Sequence, residues 1–175
     1  KPSSAASDVY KRQITAYSTA ARKFQFSGLP RLCIGMEHLA QGNRSLAQLF
    51  LASAAEEMGD DPLCANERGV AAFHAGRLSD AVELFQTAAA AAADTQQPTA
   101  AWISVHLNLG LALRREGRDA EARSCFLRVI DYDAACATAY IALGMCAHRE
   151  GHLADAIGWY LSLIHISEPT RRYAI

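Results

Sequence analysis

The sequence predicts an all-α fold made of repeated helix hairpins, and three observations carry the prediction. First, Gly35, Gly69, Gly110 and Gly144 recur at separations of 34, 41 and 34 residues, a period of 34 with one insertion of seven. Second, each is followed seven residues later by another glycine, Gly42, Gly76, Gly117 and Gly151. Glycine suits the point where a helix stops and turns, because positive φ costs it little. Third, an alanine stands twelve residues after each anchor glycine (Ala47, Ala81, Ala122, Ala156) and a bulky residue sixteen after it (Leu51, Phe85, Phe126, Tyr160). On a helix those two positions share a face, one turn apart. A glycine on the first helix facing an alanine on the second lets two backbones approach, while the bulky side chain fills the space beside them.

The elements follow in order from that register. Residues 1–13 show no repeat pattern, and KPSSAASDVYKRQ resembles translated sequencing-adapter read-through, so this stretch is expected to be a non-native or unstructured head. Residues 14–27 read as the second helix of a truncated repeat, since Tyr17 and Ala20 stand 34 residues before Leu51 and Ala54. Repeat one, 28–61, is expected to carry helices at 29–40 and 45–58, with Ser45 as an N-cap. Repeat two, 62–102, has helices at 62–75 and 79–93 and contains the insertion. Pro62 suits a helix N-terminus, where its missing N–H is harmless. The alanine run near 88–93 favours helix but offers little side chain to pack. The polar cluster DTQQPTA, with Pro98, suits a turn leading into the next helix. Repeat three, 103–136, is expected to use helices at 98–116 and 119–130, and repeat four, 137–161, helices at 137–150 and 153–161. The pattern fails again at Ser162, and SLIHISEPTRRYAI also resembles read-through, so 162–175 is expected to be a non-native tail. Neither end of the array carries a polar cap, as expected of a piece of a longer array.

A 34-residue helix–turn–helix period with this small and aromatic pattern resembles the tetratricopeptide repeat. The resemblance implies antiparallel helix pairs stacked into a right-handed solenoid, with an inner groove lined by the first helix of each pair. AYSTAARKF, LPRLCIGMEHL, DPLCANERGVAAFHAG and Trp102 followed by LNLGLALRREGR further resemble, in order, the C-terminal repeats of the cell division cycle protein 16 family, a subunit of the anaphase-promoting complex. Ile103-Ser104 stand where that family tends to have Glu-Pro, Leu107 replaces a groove asparagine and Leu111 a histidine. What carries over is therefore the scaffold. The resemblance implies a non-catalytic scaffold subunit of a ubiquitin ligase that drives cell division and mitosis, located in the nucleus and cytoplasm. Its implied partners are other subunits of that complex and a small accessory subunit like cell division cycle protein 26, held in the repeat groove. The family's homodimers form through N-terminal repeats that this chain lacks.

Composition excludes several other classes. The 175 residues, 51% hydrophobic, suffice for a sizeable core and do not read as a disordered tail. A formal charge of −1 gives no global field to draw nucleic acid or an anionic membrane. The longest apolar run is too short to span a bilayer, so an intracellular protein is expected. Five cysteines, Cys33, Cys64, Cys125, Cys136 and Cys146, contain no C-x-x-C pair and lie within helical patterns, and so read as buried reduced thiols. The six histidines form no H-E-x-x-H pair, no G-x-S-x-G elbow is present, and the glycines are packing and turn positions. No catalytic residue, metal ligand or cofactor is expected.

Binding is the remaining chemistry. Groove-facing positions on the first helices should fall three before and one, four and five after each anchor glycine. The candidates are Leu32, Met36, Leu39 and Ala40; Asn66, Val70, Phe73 and His74; Leu107, Leu111, Arg114 and Arg115; and Ile141, Met145, His148 and Arg149. Asn108 points nearby and offers an amide to a peptide backbone. An apolar groove with cations toward one rim suits a peptide with apolar anchors and some acidic character. Met36, Val70 and Met145 have a second reading, as contacts between neighbouring helices. A competing function is a co-chaperone module gripping a C-terminal carboxylate, or a general protein-interaction adaptor. The carboxylate grip needs Lys, Arg and Asn converging in the groove, and Leu32, Met36, Leu107 and Leu111 occupy that ground.

Overall fold

The computed structural model describes residues 4–23, 27–93 and 100–167, all of its regular structure being α-helical. The chain divides into two compact units, Lys1–Asp94 and Thr95–Ile175. Unit 1 contains α1 (Ser4–Lys23), α2 (Leu29–Ala40), α3 (Arg44–Met58), α4 (Pro62–His74) and α5 (Leu78–Ala93). Its hairpins are α2–α3 and α4–α5; α1 lies on α2, α3 on α4, and α2 beside α4. Unit 2 contains α6 (Ala100–Glu116), α7 (Asp119–Tyr132), α8 (Ala137–Arg149) and α9 (Leu153–Ser167). Here α6–α7 and α8–α9 pair, α7 lies on α8, and α6 beside α8.

The two sets of glycines do different physical work. Gly76 has φ +81° and nothing within 4 Å of where a Cβ would sit, so the demand there is on backbone conformation alone. Around it, Arg77 N donates to Ala72 O at 3.0 Å and Gly76 N to Phe73 O at 3.1 Å, the paired bonds of a Schellman cap. The same pair of bonds closes α2, α6 and α8. Gly110 has the opposite requirement: a Cβ there would meet the Phe126 ring at 2.6 Å. Gly69 stands in the same relation to Phe85, at 2.6 Å, and Gly35 to Leu51, at 2.7 Å. In the fourth repeat the Tyr160 ring covers Gly144.

Those pairs sit at the centre of each core. In unit 1, Leu32, Leu51, Ala54, Cys64 and Ala71 form one buried cluster, with Leu39, Ala55 and Met58 packed against it. Phe85 and, in unit 2, Phe126 are fully buried, as are Ala47, Ala81 and Ala122 in the facing small-residue positions. Burying a side chain of that size stabilises a fold by about 1.5–3 kcal/mol. Tyr160 is the exception at 38% exposed.

Several details differ from the sequence expectation. Ser45 lies inside α3, whose N-cap position is held by Asn43 without a side-chain hydrogen bond, so Ser45 does not cap it. Asp61 does cap α4: its Oδ1 accepts from Cys64 N at 3.0 Å, with Pro62 opening the helix. Helix α1 begins at Ser4, so residues 4–13 of the expected head are helical rather than unstructured. Tyr10 Oη lies 2.7 Å from His38 Nδ1, and Phe50 stacks on the His38 ring. Helix α9 likewise continues through residues 162–167, past the end of the repeat pattern. Both stretches are helical because backbone hydrogen bonding does not require the small-residue register. Of the cysteines, Cys64 and Cys146 are buried, whereas Cys33, Cys125 and Cys136 are only partly covered; none is disulfide-bonded. Phe24 and the insertion around Pro98 lie outside the described residues.

Candidate functional site

Each unit presents one face formed by the first helices of its repeats. On unit 1, α2 contributes Met36, 38% exposed, and α4 contributes Val70 and Phe73, both half-buried. The face ends at His74, which meets Phe73 edge-on at 5.9 Å between ring centroids. Two predicted positions lie in the interior instead. Leu32 is wholly buried in the core cluster. Asn66 is buried, its Nδ2 donating to Glu67 Oε1 at 3.0 Å. Burial pushes the Glu67 carboxyl above its ordinary range, and the Asn66 hydrogen bond opposes that rise.

On unit 2, Ile141 and Met145 of α8 are 43% and 42% exposed, and Leu107, Asn108, Leu111 and Arg114 of α6 are half-buried. Leu107, Leu111 and Arg114 lie three and four residues apart and so form one stripe along α6. At its end the chemistry changes from apolar to cationic, with Arg115, His148 and Arg149 exposed. Arg149 Nε donates to Asp119 Oδ2 at 2.6 Å, and its Nη2 also pairs with Asp119 Oδ1. The same Nη2 reaches Arg114 O at 2.7 Å, joining the C-terminal ends of α6 and α8. Hydrogen bonding from Arg149 holds the Asp119 carboxyl below its ordinary range. Burial, with Asp119 beside it, pushes the Cys146 thiol up to about 11, so it stays protonated at neutral pH.

Sequence reasoning did not find this ion-pair cluster. Its signal was an acid nine residues after one anchor glycine, Asp119, and an arginine five after the next, Arg149. It also missed His106, which is buried, stacks on Tyr132 at 6.2 Å between centroids and leaves Nδ1 without a hydrogen-bond partner among the described residues. Burial, reinforced by Arg128, pushes this imidazole below its ordinary range. A cleft of about 500 Å³ on unit 1, lined in part by Gln48, Arg68, Arg77, Asp80 and Glu83, was likewise not foreseen. Among the described residues, no cluster of His, Cys, Asp and Glu could hold a metal ion, and no helix is long and apolar enough to cross a membrane.

Stacked helix hairpins with glycine-against-aromatic contacts and exposed first-helix faces define a repeat scaffold. The tetratricopeptide repeat family model matches residues 34–98 and 106–169, and the chain belongs to that family. It is 40% identical over 106 residues to anaphase-promoting complex subunit cut9 of Schizosaccharomyces pombe, covering 61% of this chain and 16% of that protein. It is 33% identical over 136 residues to anaphase-promoting complex subunit 6 of Arabidopsis thaliana, covering 78% of this chain and 25% of that protein. The chain thus spans a quarter or less of the length of these relatives. Its fold matches a chain in the crystal structure of the APC/C hetero-tetramer Cut9–Hcn1 with a TM-score of 0.84 and 31% identity, over 93% of this chain and 31% of that one.

Proposed function

We propose that this chain is part of a non-catalytic scaffold subunit of an anaphase-promoting complex, and that its first-helix faces bind peptide segments of partner subunits. The observation that carries the reading is the joint likeness to Cut9, in sequence at 40% identity and in fold at a TM-score of 0.84. Exposed apolar side chains on otherwise well-packed helices support a binding role for those faces, because a helix-in-groove partner uses such anchors. On unit 1 the contacting residues are Met36, Val70 and Phe73; on unit 2 they are Leu107, Asn108, Leu111, Arg114, Ile141 and Met145. The partners are other subunits of the complex, including an accessory subunit like cell division cycle protein 26. The whole protein acts in the nucleus and cytoplasm and dimerises through repeats outside this chain. Residues 1–13 and 162–175 are foreign to the natural protein.

Affinity purification of the tagged full-length protein tests the reading. Co-recovery of other subunits of the ligase is expected. Their absence, with recovery of a chaperone through its C-terminal carboxylate instead, would replace the scaffold by a carboxylate clamp. Removal of residues 1–13 should leave the helical circular dichroism signal of the rest unchanged, and a general loss of helicity would place the head in the native fold.

A further inference from the structure

The cleft of about 500 Å³ on unit 1 lies away from the first-helix face of that unit. Its walls are α3, through Gln48 and Ala52, and α5, through Glu83 and Leu84; its floor is α4, through Arg68 and Ala72. On α4, Arg68 stands about half a helical turn round from Val70 and Phe73, so floor and face are opposite sides of one helix. Unit 2 differs at this place. Where unit 1 has Gln48, Ala52 and Leu84, the same register of unit 2 has the larger Arg123, Leu127 and Trp159. There Arg123 also reaches across to α8, donating to Glu150 at 2.8 Å, whereas unit 1 has Ala75 at the place of Glu150 and no carboxylate to bridge to. The hollow in unit 1 thus follows from smaller side chains on its walls and the loss of that bridge.

Four charged side chains line it. Arg77 Nε lies 3.6 Å from Asp80 Oδ2, both side chains more than half exposed. Arg68 and Glu83 have no ion-pair partner among the described residues. The Arg68 side chain is half-buried, but none of its nitrogens is sealed from solvent, so an anion entering the cleft can meet it. Glu83 is exposed on the α5 wall. A guanidinium so placed takes a carboxylate through two parallel charge-assisted bonds, and partial cover screens the pair less than open surface does.

We infer that this cleft is a docking site on the outer side of unit 1 for a peptide segment of a partner protein, one acidic side chain of the segment pairing with Arg68 and one basic side chain with Glu83. Charge complementarity chooses the occupant. A cleft with an unmatched charge of each sign favours a segment carrying one of each, whereas a polyanion would meet the carboxylates of Asp80 and Glu83. The small side chain of Ala52 leaves the room in which the segment lies. This site is separate from the first-helix faces and does not depend on them.

A phage-displayed library of random 12-residue peptides, depleted on Ala52→Trp and then selected on the full native chain, tests it. Ala52 is exposed, so the introduced indole fills the cleft without entering the core, and depletion removes peptides that bind elsewhere. Where Ala52→Trp loses its helical circular dichroism signal, Glu83→Lys, also at an exposed position, serves for the depletion. Enriched peptides should carry an acidic and a basic residue at a fixed spacing. In fluorescence anisotropy, Arg68→Gln and Glu83→Lys should each weaken them about tenfold. Changing the basic residue of the peptide to Glu should weaken binding to the native chain and restore it to Glu83→Lys; this exchange decides alone where Arg68→Gln does not fold. No enrichment after depletion, enriched peptides lacking either charge, or an exchange that restores nothing would overturn the inference. Each of those results would leave the first-helix reading standing, because co-recovery of ligase subunits tests that reading separately.

Discussion

Units 1 and 2 share their turns and their packing but not their exposed chemistry. Both close the first helix of each repeat with a Schellman bond pair at a positive-φ glycine, and both put a bulky side chain over the anchor glycine. Yet the face of unit 1 runs from Met36 to Phe73 and His74, whereas that of unit 2 runs from Leu107 to Arg114 and ends among cations. Positions that recur at every period set how helices approach; positions free to differ between periods set the chemistry the surface exposes. A second contrast lies within the recurring positions themselves, for Phe85 and Phe126 are 1% and 0% exposed while Tyr160 is 38% exposed.

That second contrast can be broken most directly by truncation. Phe126→Ala should destabilise the fold by about 4 kcal/mol, since it removes a wholly buried aromatic ring. Tyr160→Ala should cost about three-fifths as much, because part of its ring area is in water in either state. Urea denaturation monitored by circular dichroism measures both, and equal losses would show that exposure at Tyr160 carries no energetic meaning. Next in size, Gly110→Leu should cost about 3 kcal/mol by overpacking against Phe126. Hydrogen exchange should then accelerate in α6–α9 and not in α2–α5; acceleration throughout would deny that the two units are separate compact bodies.

Smaller effects sharpen the comparison of helix starts and of charge. Asp61→Ala should lose about 1 kcal/mol with its hydrogen bond to Cys64 N, while Asn43→Ala, where no side-chain bond exists, should lose little. The smallest change concerns acid. Asp119 has its folded-state pKa depressed, so its contribution is present above the unfolded carboxylate pKa near 3.8 and is lost as pH falls through the lower folded value. The pair is partly solvent-exposed, and Arg149→Gln should therefore cost under about 1 kcal/mol at pH 7. The same variant should flatten the fall of stability below pH 4, in urea melts taken from pH 2 to 6. An unaltered acid limb would assign that fall to other carboxylates.

The period of 34 made the hairpins, their order and their glycine contacts legible before any coordinates, because packing of small against large side chains leaves a mark at fixed spacing. Helix ends were less legible. Ser45 looked like a cap, but the chain enters α3 two residues sooner, through Asn43. Helices α1 and α9 extend beyond the spacing read from the anchor glycines because backbone hydrogen bonds alone carry no periodic signature. Among the face residues, Leu32 and Asn66 were placed outward by helical phase yet lie inside, since a face counted from one anchor ignores how deeply the neighbouring helix covers it. The cluster of Asp119 and Arg149 spans thirty residues of chain, and only contact between α7 and α8 brings it together.

The turn glycines carry one more implication. Gly42, Gly76, Gly117 and Gly151 hold φ values from +73° to +87° with open space where a side chain would begin. That is the mirror image of the region L residues prefer, so a D-alanine introduced by chemical ligation would fit each corner without strain. It would also remove freedom that glycine keeps in the unfolded chain. Handedness at four single atoms thus offers a way to stiffen the corners while every exposed helix face stays as it is.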